Sequence, residues 1–197
     1  DATAIDIARK VLADRGVPAR FEVTAEYAAR VYTAQYRESD WAFIARLFAE
    51  EGVYTWFDHG AGSILVVADR SGAAPELTGG ARIPFVAETG LRVEGESIDE
   101  LGFAVHAAPT KVSLFAFDPQ RPSFEVSGAH GDGPHVVYDA PGGGAADPAP
   151  LAHRARVAAE AGGARRSGVV GQTSSARVTP GRAVVVTGHP DAALDGR

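Results

Sequence analysis

Cysteine, methionine and asparagine are all absent from this chain of 197 residues. The lack of cysteine excludes disulfide bonds and thiolate chemistry. Because methionine is missing even at position 1, we expect the chain to be a fragment of a longer translation product. A chain of this length can nevertheless bury a core that needs no disulfide or metal to fold, and it corresponds to one domain or two small ones.

Lysine is also scarce, and the basic residues are scattered along the chain. Lysine occurs only at Lys10 and Lys111, Arg165 and Arg166 are the one adjacent arginine pair, and the formal net charge is −6. Nucleic-acid binders depend on clustered Lys and Arg, so we expect no nucleic-acid partner. No run of about 18 apolar residues occurs, so we expect no membrane segment. The apolar share of 45% and the charged share of 22% are typical of a soluble globular protein.

Two segments have the pattern of a capped helix. In the first, Thr3 and Asp6 have the spacing of a capping box, the apolar Ile5, Ala8 and Leu12 share one face, and Gly16 is a stop signal.

In the second helix, Ser39 is a favourable N-cap and Asp40 suits the positive end of the helix dipole. A stripe at helical spacing predicts the buried face, and it consists of Phe43, Ile44, Leu47 and Phe48. Glu50 and Glu51 lie at the negative end of the dipole, which should cost about 0.3–1 kcal/mol each. Nothing in the sequence explains that placement.

The rest of the chain is dominated by strand patterns. Runs of β-branched and aromatic residues predict strands over 20–24, 53–57, 63–68, 112–117, 124–127, 135–138, 167–174 and 182–187, and residues 30–36 are also rich in β-formers. Residues 53–57 and 63–68 are expected to form a hairpin with a five-residue loop. A weakly amphipathic helix is predicted over 151–161. The fold class is therefore α+β, mostly β, with short helices set between the strands.

The densest group of potential metal ligands is the run His130-Gly131-Asp132-Gly133-Pro134-His135. A metal site needs ligands that converge at about 2.0–2.2 Å, and this run of glycine and proline favours a surface turn instead. The other histidines are isolated and are interpreted as surface or packing residues: His59, His106, His153 and His189. We therefore expect no metal and no cofactor.

Motifs for a nucleophile or a phosphate cradle are also absent. The run 60–63 lacks the final glycine of GxSxG, and the run 141–144 lacks a following GK[ST]. Acidic pairs are numerous, but spacing alone does not select two catalytic carboxylates; they are Glu50 with Glu51, Glu94 with Glu96, and Asp99 with Glu100. We assign no catalytic residue and expect that the chain is not an enzyme.

Aromatic residues concentrate between positions 41 and 57. This group consists of Trp41, Phe43, Phe48, Tyr54, Trp56 and Phe57. Such a cluster favours a buried core, but strand alternation sets Tyr54 and Trp56 on the face opposite Phe57, so one face is also a candidate interface.

The segment from Gln35 to Tyr54 resembles the QYxESDxxFxxRLxxEEGxxY signature of VgrG proteins, the spike components of bacterial type VI secretion. Weaker matches follow in the family's order. Residues 111–118 resemble KVTLxxYDF, residues 138–142 resemble YDYPG with Ala140 in place of the second tyrosine, and residues 179–190 resemble PGxxFxLxxHP. Residues 94–110 match poorly.

The resemblance implies a module similar to the baseplate hub of contractile phage tails, with antiparallel strands, a partial β-barrel and short helices. It implies an α+β hub subdomain over 1–100 and a partial β-barrel subdomain over 101–197. It also implies a structural role that adapts a trimeric spike to the hexameric tube protein Hcp for contact-dependent effector delivery. The implied partners are further copies in a homotrimer, the tube, and baseplate and effector proteins. The implied location is the bacterial cytoplasm before firing, followed by secretion or delivery into a target cell.

The alternative function is a hydrolase or carbohydrate-binding domain of a phage-like injection machine. An enzyme requires a buried, paired titratable site in a cleft. An assembly module instead leaves apolar patches exposed.

Overall fold

The computed structural model describes residues 2–60, 62–87, 94–118, 121–140 and 148–196. The helices within these ranges are α1 (Ala4–Asp14), α2 (Asp40–Glu51) and α3 (Ala149–Arg166), and a 3-10 turn covers Ser71–Ala73. The strands are β1 (Ala19–Glu22), β2 (Tyr54–Asp58), β3 (Ile64–Ala68), β4 (Arg82–Pro84), β5 (Ile98–Val105), β6 (Lys111–Phe117), β7 (Glu125–Gly131), β8 (Val136–Asp139), β9 (Ser167–Thr173) and β10 (Val185–Thr187).

These strands form small sheets with the orders β1-β3-β2, β10-β4, β5-β9 and β7-β6-β8. The predicted class, α+β and mostly β, is therefore confirmed. The prediction of antiparallel strands is right for β2–β3, β5–β9 and β6–β7. It is wrong for β1–β3, β4–β10 and β6–β8, which are parallel; in each case other elements lie between the two strands and provide the crossover that parallel pairing needs. The described strands form no closed barrel.

Helix α1 begins at the predicted capping box. The Thr3 hydroxyl accepts a hydrogen bond from Asp6 N–H at 3.1 Å, and the Asp6 carboxylate accepts one from Thr3 N–H at 3.1 Å. The face predicted to be apolar is buried and includes Ile5, Ala8 and Leu12.

Helix α2 begins and ends as its sequence predicts. The Ser39 hydroxyl accepts a hydrogen bond from Ala42 N–H at 3.1 Å, and Gly52 ends the helix in the left-handed conformation with φ 74°. All four residues of the predicted stripe are buried, and they pack against α1 and β3. Because each large buried side chain contributes roughly 1.5–3 kcal/mol, this stripe organises the N-terminal core.

The predicted hairpin is present as β2 and β3. Tyr54 pairs with Ala68 and Asp58 pairs with Ile64, which leaves a connection of five residues. Strand β1 adds to the other edge of β3 in parallel. Trp56 is buried against Val66 and Ala68 in a small cluster of its own.

Two regions differ from the sequence prediction. Residues 30–36 form no strand, and the one ladder contact there is an isolated bridge between Arg30 and Ala2. Strands β4 and β5 were not predicted, and β5 lies in the stretch that matches the VgrG pattern poorly. The division between residues 1–100 and 101–197 stays a prediction, and its boundary lies within β5.

Other buried side chains form two further clusters. One joins β6 and β7 to α3 and contains Val112, Leu114, Val126, Leu151 and Ala155. The other joins β4, β5 and β10 and contains Leu77, Ile83, Ile98 and Val186. The chain therefore has several small cores, and the contacts between these cores determine how the sheets and helices are arranged.

Candidate functional site

The histidine run at 130–135 begins with the last two residues of β7 and continues through the connection to β8. His135 N–H donates to the Thr110 hydroxyl at 3.1 Å, and the His135 carbonyl accepts from Thr110 N–H at 2.8 Å. A Cβ at Gly133 would lie 2.1 Å from Thr110 Oγ1, so glycine is required for this close packing. The prediction of a surface turn is therefore right for residues 132–135 and wrong for His130 and Gly131, which are paired with β6. Within the described residues, no three potential ligands are arranged to hold a metal ion.

The other histidines lie in separate places. His59 stacks on Phe57 and its Nδ1 lies 3.0 Å from the Ser63 hydroxyl. His189 packs against Phe85 with the ring centroids 4.3 Å apart. These contacts are packing and turn contacts, as the sequence suggested. The glycine-rich run at 141–144 lies outside the described residues, as does Ala61 of the run at 60–63.

The aromatic cluster divides between core and surface. Phe43, Phe48 and Trp56 are buried, whereas Trp41 and Phe57 are exposed. One side of the Trp56 ring is stacked by Tyr54, with centroids 5.6 Å apart. The ring is also covered by Gly181, where a Cβ would lie 2.4 Å from the indole atoms. Trp56 is only 8% exposed, and it lines a pocket together with Thr24 and Arg70.

The two glutamates that the sequence left unexplained lie in a charged cluster at the end of α2. We call Arg30, Glu50, Glu51, His153 and Arg154 the acid–base clasp. Arg30 Nη1 lies 2.6 Å from Glu50 Oε2, and its Nη2 lies 2.6 Å from Glu51 Oε1. From α3, Arg154 Nη2 lies 2.7 Å from Glu50 Oε2. His153 Nε2 is 3.1 Å from Glu51 Oε2, although the angle is not that of a hydrogen bond.

The clasp is partly withdrawn from solvent, and the charges compensate one another. Burial acts to raise the pKa of Glu50, but the hydrogen bond from Arg30 and the charge of Arg154 outweigh it, so that pKa is lowered overall. Burial acts to lower the pKa of Arg30, and the two carboxylates reverse that effect and raise it. For Glu50, the two cations therefore outweigh the unfavourable effect of burial on its charged form.

Two other arginines connect distant segments. Arg177 pairs with Glu96 and also donates to the carbonyls of Thr78 and Gly80 at 2.7 and 3.0 Å. Arg182 Nη2 lies 3.3 Å from Asp58, which links the β2–β3 hairpin to the C-terminal segment. These ion pairs hold the chain together without forming a reactive site.

The most exposed regular structure is the pair of strands β5 and β9, which we call the ribbon. All seven residues of β9 are exposed. Phe103 pairs with Val169, and Val105 lies two positions further along the same face, so three apolar side chains share that face. Val105 is 74% exposed and Val170, on the other face, is 59% exposed. Within the described residues the ribbon has no third strand.

The sheet β7-β6-β8 also has an uncovered face. Val112 and Leu114 point toward α3, so Phe115 and Phe117 point away from it. Phe115 stacks on Tyr138 with centroids 4.5 Å apart, and Phe117 is 65% exposed. Edge strand β8 is exposed at all four residues.

An isolated pair of strands is marginally stable in water, and exposed edges template pairing with other chains. The geometry therefore favours contact with other chains over chemistry on a small substrate.

Sequence reasoning missed both the clasp and the ribbon as features. The unusual position of Glu50 and Glu51 in the helix dipole was the one signal of the clasp.

No helix in the described ranges has the length and apolar character needed to cross a membrane.

Comparison with known proteins identifies the family. A profile of the phage tail baseplate hub (GPD) family matches residues 1–197. The type VI secretion system spike protein VgrG1c of Pseudomonas aeruginosa is 32% identical over 146 residues, which are 70% of this chain and 20% of that protein. The chain thus spans about a fifth of the length of such a relative.

Solved structures agree on the fold. A type VI secretion component of E. coli, the c3393 protein, described as structurally similar to the T4 bacteriophage tail proteins gp27 and gp5, superposes with a TM-score of 0.64 at 20% identity. The match covers 98% of this chain and 41% of that one. The 43 kDa tail protein of prophage MuSo2 from Shewanella oneidensis gives a TM-score of 0.58 at 14% identity, over 98% of this chain and 57% of that one. The chain belongs to the phage tail baseplate hub family and resembles the VgrG spike proteins of type VI secretion.

Proposed function

We propose that the chain is a structural part of a type VI secretion spike hub, and that it adapts a trimeric spike to the hexameric tube protein Hcp. In this role it contributes to contact-dependent effector delivery and carries out no chemistry of its own. Its partners are two further copies in a homotrimer, the tube, and baseplate and effector proteins. The assembled spike is held in the bacterial cytoplasm before firing and is then secreted or delivered into a target cell.

The observation that carries this proposal is the ribbon. Its two strands expose apolar side chains on both faces, and β9 has an unpaired outer edge within the described residues. Leu101 lies on the same face of β5 as Phe103 and Val105, and it packs into the cluster of Leu77 and Ile83. The apolar surface of that face therefore continues from a buried core out to solvent. An interface that covers this surface would bury it and pair the edge.

We further propose that residues 1–100 form an α+β hub subdomain and that residues 101–197 contribute to a partial β-barrel. The support is the exposed edge of β9, because a strand donated by another chain at that edge would extend the ribbon toward a barrel. The role as an adaptor would then depend on pairing between chains.

Sedimentation of the chain with purified hexameric tube protein tests the proposal. We expect the chain to sediment with the tube and expect Val170→Lys to reduce the bound fraction, because a charge replaces an apolar side chain on the ribbon. Val31→Lys is the matched control, since Val31 is 94% exposed and lies outside the ribbon. No co-sedimentation, or equal loss with both variants, would contradict the assignment of the ribbon as the contact surface.

A further inference from the structure

Two parts of the molecule each have a core of their own. We call α1, α2 and β1–β3 the α2 unit, because their buried side chains form one cluster around Ile44 and Leu47. We call α3 with β6–β8 the α3 unit, because Val112, Val126 and Leu151 form a separate cluster. Within the α3 unit the packing is close, since a Cβ at Gly128 would lie 2.3 Å from the Ala152 backbone nitrogen.

The two units meet where α3 contacts the C-terminal end of α2. The apolar part of this contact is Val157 against Gly52, where a Cβ on the glycine would lie 3.2 Å from Val157 Cγ2. Gly52 also needs its left-handed φ of 74° to end α2, so no other residue fits there without strain. The polar part of the contact is Arg154 on Glu50 and His153 against Glu51.

Arg30 prepares the glutamates for this contact from within the α2 unit. It bonds one carboxylate with each of its two terminal nitrogens, at 2.6 Å in both cases. Adjacent carboxylates that lack a cation would repel each other and turn toward solvent. Arg30 therefore fixes both acceptors in the orientation that Arg154 and His153 contact.

We propose that the acid–base clasp is a lock on the orientation of the α3 unit relative to the α2 unit. Without the Arg154 and His153 contacts, the α3 unit moves as a body while both cores stay folded. The physical reason is that each unit has its own apolar cluster and the contact between them is largely ionic, which is typical of interfaces that permit relative motion. Strand β9 directly follows α3, so movement of the α3 unit would also pull on the ribbon, whose Ile98 and Leu101 pack in the cluster of Leu77 and Ile83.

The absence of cysteine allows a direct distance measurement, because two introduced cysteines can be labelled without competition. Ala13→Cys on α1 and Ala158→Cys on α3 place spin labels at exposed positions, one in each unit. Double electron–electron resonance of this doubly labelled chain should give one narrow distance distribution. Adding Arg154→Gln together with His153→Gln should broaden and shift it.

Glu22→Gln is the matched control, because it breaks the exposed Arg20–Glu22 pair on β1 and touches no residue of the clasp. It should leave the distribution narrow. High salt should change the distribution little, because ion pairs that are partly buried are screened far less than exposed ones.

Amide hydrogen exchange then separates the lock from simple destabilisation. In the Arg154→Gln, His153→Gln variant, we expect α2 and β6 to keep their protection. A distribution in the variant as narrow as that of the chain with the unaltered clasp would overturn the proposal. Joint loss of protection in both units, or failure of the variant to fold, would overturn it too, because the units would then share one cooperative core.

Discussion

Replacement of Gly181 by alanine should cost far more stability than an ordinary change in a loop. Gly181 has a φ of 77°, a conformation that costs a residue with a Cβ roughly 1–2 kcal/mol. The new Cβ would also lie 2.4 Å from three atoms of the Trp56 indole ring. That ring is backed by Val66 and Ala68 and cannot move away freely. Overpacking of this kind costs roughly 1–3 kcal/mol, so we expect a total loss of about 2–5 kcal/mol for Gly181→Ala.

Gly16→Ala is the matched control for the steric part of that loss. Gly16 has a φ of 66°, and a Cβ there would have nothing within 4 Å. Its expected loss is therefore the conformational part alone, about 1–2 kcal/mol. Urea unfolding followed by tryptophan fluorescence measures both variants, and the emission of Trp56 should also change in folded Gly181→Ala. Equal losses for the two variants would refute the inferred contact between the C-terminal turn and Trp56.

Two further substitutions test the N-terminal core and its charges. Leu47→Ala should lower the free energy of unfolding by about 2–5 kcal/mol, because Leu47 is fully buried; a loss below about 1 kcal/mol would show that the stripe is not core. The pKa of Glu50 is raised by burial but lowered more strongly by Arg30 and Arg154, so its carboxylate stabilises the fold above its unfolded pKa and loses that effect as pH falls. The stability difference between the native chain and Glu50→Gln should therefore be large at neutral pH and shrink in acid, and a constant difference in pH-dependent urea titrations would contradict this assignment.

Local signals explain why parts of this fold were predictable. The Thr3–Asp6 capping box and the Ser39 cap act within a few residues, and so does the apolar periodicity of α2. The β2–β3 hairpin is likewise encoded by two adjacent strand patterns and a short loop. In each case the sequence near the element contains the whole signal, so the prediction and the structure agree.

Features that depend on distant contacts could not be predicted in the same way. Glu50 meets Arg154 across 104 positions in the chain, and no pattern near either residue identifies the partner. Strand β5 pairs with β9 across 62 to 75 positions, and its own sequence alternates weakly. Residues 30–36 have β-forming side chains but lack a partner strand among the described residues, so propensity alone misassigned them.

The exposed surfaces were hardest to derive from sequence. Val105, Val169 and Val170 are of a residue type common in cores, yet all three are exposed. The sequence alone cannot distinguish a buried strand from an exposed strand of the same composition. Trp56 and Phe57 are adjacent, yet one is buried and the other is exposed. Only the fold determines which apolar face is left open, and that face is what supports a role in assembly.

The central claim is that this chain joins a trimeric spike to a hexameric tube. Native mass spectrometry of the chain mixed with hexameric tube protein tests it most directly, because the mass of the complex gives the number of copies of each partner. The account predicts complexes that contain three copies of the chain for each tube hexamer. Complexes with one or six copies per hexamer, or a chain that binds no tube protein at all, would contradict it.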